Sequence, residues 1–302
     1  AIPLYVVSGS PLSNVGTLTN QGIELEVGYK LSVDKVNLSF LANASYVKNE
    51  IKNLGNQTGY IDKESLPTLG TVSRNQNGYP IGYFFGYKAI GVFQTQEEID
   101  NYISPATGKP IQPNAVPGDT KFEDLNGDGV ISDDNEDRTM IGKPNPDWMV
   151  GLTVAADWNG FDLSAFFQGS FGADVFDALR RYELAAVNYT SDALERWTGP
   201  GTSNSMPRIV LGDTPKNFRP STLLVHDASF LRLRNLQVGY TLPAQLTRKA
   251  YIQRLRFYAS FDNLLTITGY KGMDPEIGST MGIDKGVYPQ ARVYTFGLNL
   301  TF

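Results

Sequence analysis

Tyr294-Thr-Phe296-Gly-Leu298-Asn-Leu300-Thr-Phe302 closes the chain with strict two-residue alternation. Successive side chains on a strand point to opposite faces. Tyr294, Phe296, Leu298, Leu300 and Phe302 therefore share one apolar face, and Thr295, Gly297, Asn299 and Thr301 share a small polar one. Such a strand suits two settings. It can lie half-buried in a water-soluble sandwich, or it can face lipid on one side and water on the other in an outer-membrane β-barrel, with its terminal ring at the bilayer interface. The rest of the chain decides between them.

Working back from the end, the same alternation recurs six times. Leu255, Phe257, Ala259 and Phe261 oppose Arg256, Tyr258, Ser260 and Asp262. Before them, Leu231 and Leu233 give way to Leu236, Val238 and Tyr240, a change from odd to even positions that one extra residue near Arg234-Asn235, a β-bulge, would absorb. Phe161, Leu163, Ala165, Phe167 and Phe171 form another face, joined through the hairpin pair Asn159-Gly160 to Val150, Leu152, Val154, Ala156 and Trp158. Val36 to Tyr46 and Ile23 to Tyr29 complete the set, with a short turn near Ser32 to Lys35 between them. Residues 1–16 read as loop.

The connections run short, long, short, long, middling, long. Outer-membrane barrels place short turns on the periplasmic side and long loops outside. With Phe302 at the periplasmic edge, counting back puts the turns at 31–35, 158–161 and 242–253 in the periplasm, and the regions 49–146, 172–222 and 267–288 outside. Length and parity agree at every connection, an agreement a soluble sandwich has no reason to show. The aromatic segment Ile81-Gly-Tyr83-Phe-Phe85-Gly-Tyr87 would break that parity as a single wall strand, so it is placed as a hairpin within the first outer loop; two further wall strands would also satisfy the count. In the second outer region, helix-like pieces are expected around Asp174 to Val187 and Ser191 to Trp197, the latter with Ser191 as cap.

Composition agrees with this reading. Of 302 residues, 41% are apolar and only 19% charged, which excludes a disordered chain and allows one large β domain. No apolar run approaches the eighteen residues of a membrane helix, a test that barrels escape because only alternate residues need be apolar. The net charge of −5 excludes the basic stripe of a nucleic-acid binder. Absent cysteine decides little. The opening Ala-Ile-Pro-Leu-Tyr has none of the marks of an export signal, which is expected to lie outside this stretch. Seven strands cannot close a bacterial single-chain barrel, whose strand number is even, and an open edge in lipid leaves backbone amides unpaired. The fold class expected is thus all-β: the transmembrane antiparallel wall of a larger barrel, with long outer loops containing short helices.

Several stretches then carry a family resemblance. Asn14-Val-Gly-Thr-Leu-Thr-Asn-Gln-Gly-Ile-Glu-Leu, Pro117-Gly-Asp119-Thr-Lys-Phe-Glu-Asp124-Leu-Asn126-Gly-Asp128-Gly129, Ile141-Gly-Lys-Pro-Asn-Pro, Ser229-Phe-Leu-Arg232-Leu-Arg-Asn235 with Gly239-Tyr240-Thr-Leu-Pro243, and Tyr288-Pro-Gln-Ala-Arg292-Val-Tyr-Thr-Phe-Gly-Leu follow in the order found in SusC-type TonB-dependent transporters. The chain resembles the C-terminal half of their barrel along nearly its whole length. The resemblance implies an outer membrane of Bacteroidetes type, a SusD-like lipoprotein lid over the outer loops, and import of oligosaccharide or peptide driven by TonB through a plug. The plug and the early strands would come from the remainder of a longer polypeptide. Two other readings stand beside it: a self-contained small porin or adhesin, needing a further strand from residues 1–16 or 81–94, and a secreted calcium-stabilised glycan-binding β protein.

The one motif with ligand chemistry is Asp124-x-Asn126-x-Asp128-Gly129-Val130. Its spacing matches the first half of a calcium loop, with oxygen ligands at alternate positions, a glycine at the bend and the carbonyl of Val130. Position twelve, where a bidentate acid should close the cage, is Asn135; Glu136 and Asp137 follow. Family members resemble this loop but end in an Asp-Arg pair, here Asp137-Arg138. The candidate set is Asp124, Asn126, Asp128, Val130 and Asp137 for structural Ca2+, and the competing reading is a metal-free turn held by Asx hydrogen bonds. His226 is the single histidine, beside Asp227, but no nucleophile elbow accompanies it, so no catalysis is expected. Arg180, Arg181, Tyr182, Tyr189, Arg196 and Trp197 of the second loop are candidates for contact with cargo or lid, or for an ordinary aromatic girdle. Glu24, Glu26, Arg256 and Asp262 should point inward, onto a solvated wall or a plug.

Overall fold

The computed structural model describes residues 16–179, 181–182, 184, 188–276 and 281–302. Seven strands make one antiparallel meander: β1 (Thr17–Val33), β2 (Val36–Asn53), β3 (Trp148–Trp158), β4 (Phe161–Phe171), β5 (Phe230–Thr241), β6 (Arg254–Thr268) and β7 (Val293–Thr301), each bonded to its neighbours in sequence. All seven alternating stretches are strands. The tight turns take the left-handed backbone that matches strand twist, with φ of 54° at Asp34, 49° at Asn159 and 88° at Gly160. Arg234 is the extra residue of the expected bulge. The pairing of β5 skips it on both sides, joining Phe166 to Asn235 and Phe167 to Leu233 on one, and shifting between Leu233 and Asn235 on the other.

Register turns seven amphipathic strands into one amphipathic wall. Tyr29, Phe40, Val154, Ala165, Leu236, Phe261 and Tyr294 form a row running across all seven strands. The neighbouring row, on the other face, is Lys30, Ser39, Ala155, Ser164, Gln237, Ser260 and Thr295. A slip of one residue anywhere would exchange the faces. The apolar face is uncovered: Ile23 is 74% and Phe296 75% exposed.

Two aromatic rows bound this face. Tyr46, Trp148 and Phe171 are paired at one level, with the Tyr46 and Trp148 rings 5.0 Å apart. Trp158, Phe161, Tyr240 and Phe257 are paired at the other, with ring separations of 6.2 Å and 4.4 Å along the first three. Ten residues separate Trp148 from Trp158, roughly 34 Å of strand, and a tilt of about 40° reduces that to about 26 Å. That height equals the apolar band of outer-membrane barrels, about 25 Å between its aromatic girdles.

The three long connections lie together at one end. Residues 174–177 pair with 225–227 and, in parallel, with 283–284, joining the second loop to the third. Leu66, Val72 and Phe84 of the first loop, Phe176 and Leu224 of the second and Ile283 of the third share one buried core. At the opposite end Lys35, Asn159, Thr241 and Arg254 line one small cavity, which gathers the three shorter turns. Among the described residues β1 pairs only with β2 and β7 only with β6, so the meander is an open wall. No helix among them is long and apolar enough to cross a membrane.

Two local expectations are corrected. Asp174–Asp177 is a strand, not the start of a helix, because Val175 and Phe176 gain partners on both sides that no local pattern announces; Arg180, Glu183 and residues 185–187 lie outside the described residues. Ser191–Glu195 is a 3-10 turn with Thr190 in the cap position and no capping side-chain bond, so Ser191 is not its cap. The 81–87 segment is a loop element, as parity requires. Tyr83–Gly86 forms a hairpin with Ser73–Gln76 and a second edge with Thr139–Gly142. The small-barrel reading therefore loses that strand, and residues 1–15 lie outside the described residues.

Candidate functional site

The looped end carries the groups that can meet a solute, and β7's neighbours prepare it from the wall upward. The bulge places Arg234 and Asn235 on the polar face in succession: Arg234 Nε donates to Gln168 Oε1 at 2.6 Å, and Asn235 Nδ2 to Ser260 Oγ at 2.9 Å and Asp262 Oδ1 at 2.6 Å. Arg232, 2% exposed, donates to Asp274 Oδ1 at 2.6 Å, Glu276 Oε2 at 3.0 Å and Thr266 Oγ1 at 2.9 Å. Arg234 Nη2 also reaches both oxygens of Glu276. The third loop is thus clamped against the polar face. Burial works to raise the Asp274 carboxyl, but the backbone N–H groups of Gln290 and Glu276 and the Arg232 guanidinium outweigh it and hold the carboxyl below its ordinary range.

The first two loops are locked by arginines interleaved with aromatic rings. Arg74 lies 4.1 Å from the Tyr60 centroid and 3.6 Å from Phe85; Arg138 lies 4.3 Å from Phe85 and 5.7 Å from Tyr87; Arg219, from the second loop, lies 4.8 Å from Tyr87 and 4.9 Å from Phe122. This ladder explains the aromatic segment. Its odd positions, Phe85 and Tyr87, form the rungs, while Phe84 faces the shared core and meets Phe176 at 5.9 Å. Gly86 is needed for close approach, since a Cβ there would fall 2.3 Å from the Pro220 oxygen. Burial raises the Tyr87 hydroxyl and lowers Arg138 from their ordinary values.

The calcium-like motif is a loop of Asx turns. Asp124 accepts from the N–H of Gly127 and Gly129, each at 2.8 Å; Asn126 Oδ1 accepts from Asp128 N at 3.0 Å; Asp128 Oδ1 accepts from Val130 N at 2.9 Å. Asp137, fully buried, accepts from Leu125 N at 3.1 Å and Ser132 N at 3.0 Å. Val130 is 56% exposed. Among the described residues no three acidic or histidine side chains converge as metal ligands. In this arrangement the side chains of Asp124, Asn126, Asp128 and Asp137 accept backbone amides, the pattern of the Asx-turn reading.

The second-loop candidates divide. Tyr182 is buried against Phe218, ring to ring at 4.7 Å, with its hydroxyl 2.9 Å from Thr190 Oγ1. Trp197 packs on Gly118 and donates from Nε1 to Gln94 Oε1 at 3.1 Å. Arg181 Nη2 donates to Pro67 O at 2.9 Å and to Thr68 Oγ1, tying the second loop to the first. Tyr189 and Arg196 remain available, on a cavity of about 630 Å³ with Leu194 and Leu211. His226 sits in the short strand 225–227, its Nε2 3.8 Å from Asp177 Oδ2, inside the packed loop body. On the wall, Arg256 chelates Asp162 and also reaches Gln237, and Glu24 and Glu26 pair across to Ser45 and Asn43 on the polar face.

No protein-family model matches the chain. It is 32% identical over its whole length to TonB-dependent receptor P3 of Formosa agariphila, and 30% identical over 96% of its length to TonB-dependent receptor SusC of Bacteroides thetaiotaomicron. Along its whole length the chain resembles the SusC-like TonB-dependent receptors. It spans 30% of the length of the first of these relatives and 27% of the second. Among solved structures, the RagAB peptide transporter matches all of this SusC-like chain and 31% of its own at a TM-score of 0.74 and 26% identity; RagAB in its closed-closed state gives 0.72 and 27%. The meander is accordingly outer-membrane barrel wall. In SusC-like terms, the motif Ser229 to Asn235 supplies the bulge and the clamp on the third loop, and Pro117-Gly118 supplies the seat for Trp197. Sequence reasoning missed the ladder arginines Arg74 and Arg219 and the clamp acids Asp274 and Glu276. The odd-position aromatics of 83–87 were their one local signal.

Proposed function

We propose that this chain forms C-terminal barrel wall and outer loops of a TonB-dependent importer of oligosaccharide or peptide in the outer membrane. The remainder of the polypeptide supplies the early strands and a plug through which TonB acts, and a SusD-like surface lipoprotein closes over the loops. The chain itself performs no covalent chemistry. The observation that carries this reading is the bare apolar band, about 26 Å high between two aromatic rows, under a mass of fused loops at one end only. Such a band suits hydrocarbon, and its unpaired edges need further strands. The likeness to a protein described as a peptide transporter supports peptide as one cargo class.

The test is purification of the full-length receptor in detergent from its own cells, followed by mass spectrometry. Recovery with a surface lipoprotein and a bound oligosaccharide or peptide is expected. A water-soluble monomer recovered without detergent would overturn the reading.

A further inference from the structure

We propose that the cavity between Arg138, Lys216 and Arg219 is an oxyanion-binding subsite that takes a carboxylate or sulfate group of a solute. The cavity, about 330 Å³, opens where the first and second loops meet, and Thr68, Tyr87, Asp133 and Asp213 complete its polar lining. That volume is at the small end of ligand pockets, about 300–1,000 Å³, and suits one acidic group with the ring or residue that bears it.

Among the described residues the cations that line it outnumber the carboxylates. Three cations, Arg138, Lys216 and Arg219, face two carboxylates, in a chain whose net charge is −5. Asp133 is engaged by Lys216, and Arg219 Nη1 stands 3.9 Å from its other oxygen, beyond hydrogen-bond reach. Asp213 spends one oxygen on Asn217 N and the other on Phe218 N, both at 2.9 Å. Arg138 donates from Nη2 to the carbonyls of Thr71 and Phe85, and among the described residues it has no carboxylate partner.

Both guanidinium groups keep donors without acceptors. Arg138 Nε and Arg219 Nη1 are buried and have no hydrogen-bond acceptor, and Arg219 Nη1 keeps only the 3.9 Å ion pair with Asp133. The flat faces of the two groups lie against Phe85, Tyr87 and Phe122, and their edges are held by Asn135, Thr71 and Phe85 for Arg138 and by the Lys216 carbonyl for Arg219, so both charges are fixed in place beside the cavity. A planar fork of N–H donors recognises carboxylate and sulfate better than any neutral group. A neutral sugar hydroxyl would satisfy single donors and leave the excess charge.

Assigning the anion to cargo rests on the importer reading; the site itself does not. Full-length receptor in detergent is melted with sodium sulfate, with sodium acetate, and with sodium chloride at equal ionic strength. A saturable rise of about 1–2 °C over chloride is expected with sulfate, acetate or both, and the anion that gives it separates a sulfated from a carboxylated source. Lys216→Gln, at a half-exposed side chain, and Arg219→Gln should each weaken the apparent affinity at least about tenfold, one hydrogen-bonded charge being worth that much. Arg219→Lys should restore part of it. No rise over chloride, or a rise unchanged in Lys216→Gln, overturns the subsite. Anion binding without TonB-dependent uptake would count against the importer reading and leave the subsite standing, whereas uptake without anion binding would do the reverse.

Discussion

The wall and the loop body treat the same side chains in opposite ways. On the wall, Ile23, Leu25, Phe296 and Leu298 are more than half exposed; in the loops, Val72, Phe84, Phe93 and Phe176 are fully buried. Arginines invert too. Arg232 and Arg256 of the wall are held chiefly by carboxylates on its polar side, whereas Arg74, Arg138 and Arg219 of the loops are stacked against aromatic rings. One rule covers both regions once the solvent is allowed to differ with height: apolar surface leaves water for protein above the aromatic row at Trp148 and for hydrocarbon below it.

The largest effect should come from cutting the tie between the two regions. Arg232→Ala leaves the buried Asp274 without its cation and Glu276 with Arg234 alone, and breaking a buried ion pair from one side costs about 3–5 kcal/mol. A lower melting temperature with new proteolytic cleavage within residues 269–292 is the expected result. Next, Leu152→Arg, near mid-height of the apolar face, should cost about 2–4 kcal/mol in urea titrations in lipid vesicles, while Leu194→Arg, 80% exposed on the second loop, should stay within about 0.5 kcal/mol. Equal costs at the two sites would abolish the distinction between lipid-facing and water-facing surface.

Gly86→Ala drives a methyl into the Pro220 carbonyl and should cost about 1–3 kcal/mol, read as faster amide exchange around residues 218–224. Gly199→Ala, with open space around it, serves as control. Acid acts on the clamp in a defined direction. Because the folded Asp274 carboxyl lies below its ordinary value of 3.8, its contribution is complete above that pH and is lost as pH falls through the lower folded value. The third loop should therefore become cleavable only below about pH 3.8, and Asp274→Asn should remove that acid step. The smallest effect is expected of calcium: with Asp124, Asp128 and Asp137 occupied by backbone amides, millimolar Ca2+ should leave the melting temperature unchanged. A saturable rise would restore the calcium cage.

Much of the wall was legible because its information is local. Period-two alternation marks each strand, Asn159-Gly160 marks its turn, and the parity shift at Arg234 marks the bulge. The loop body was less legible because its contacts are distant. Asp174–Asp177 reads as helix until residues 225–227 and 283–284 arrive as partners, and Trp197 reads as a free aromatic until Gly118 is found beneath it. The acids at Asp274 and Glu276 carry no periodic signature, and only the folded bulge brings Arg232 and Arg234 to them.

The two bare borders of the meander have a practical corollary. Among the described residues β1 and β7 each present a row of unpaired peptide groups beside a greasy flank, the combination that recruits further copies edge to edge. Produced by itself in water, this stretch should stack into insoluble ribbons.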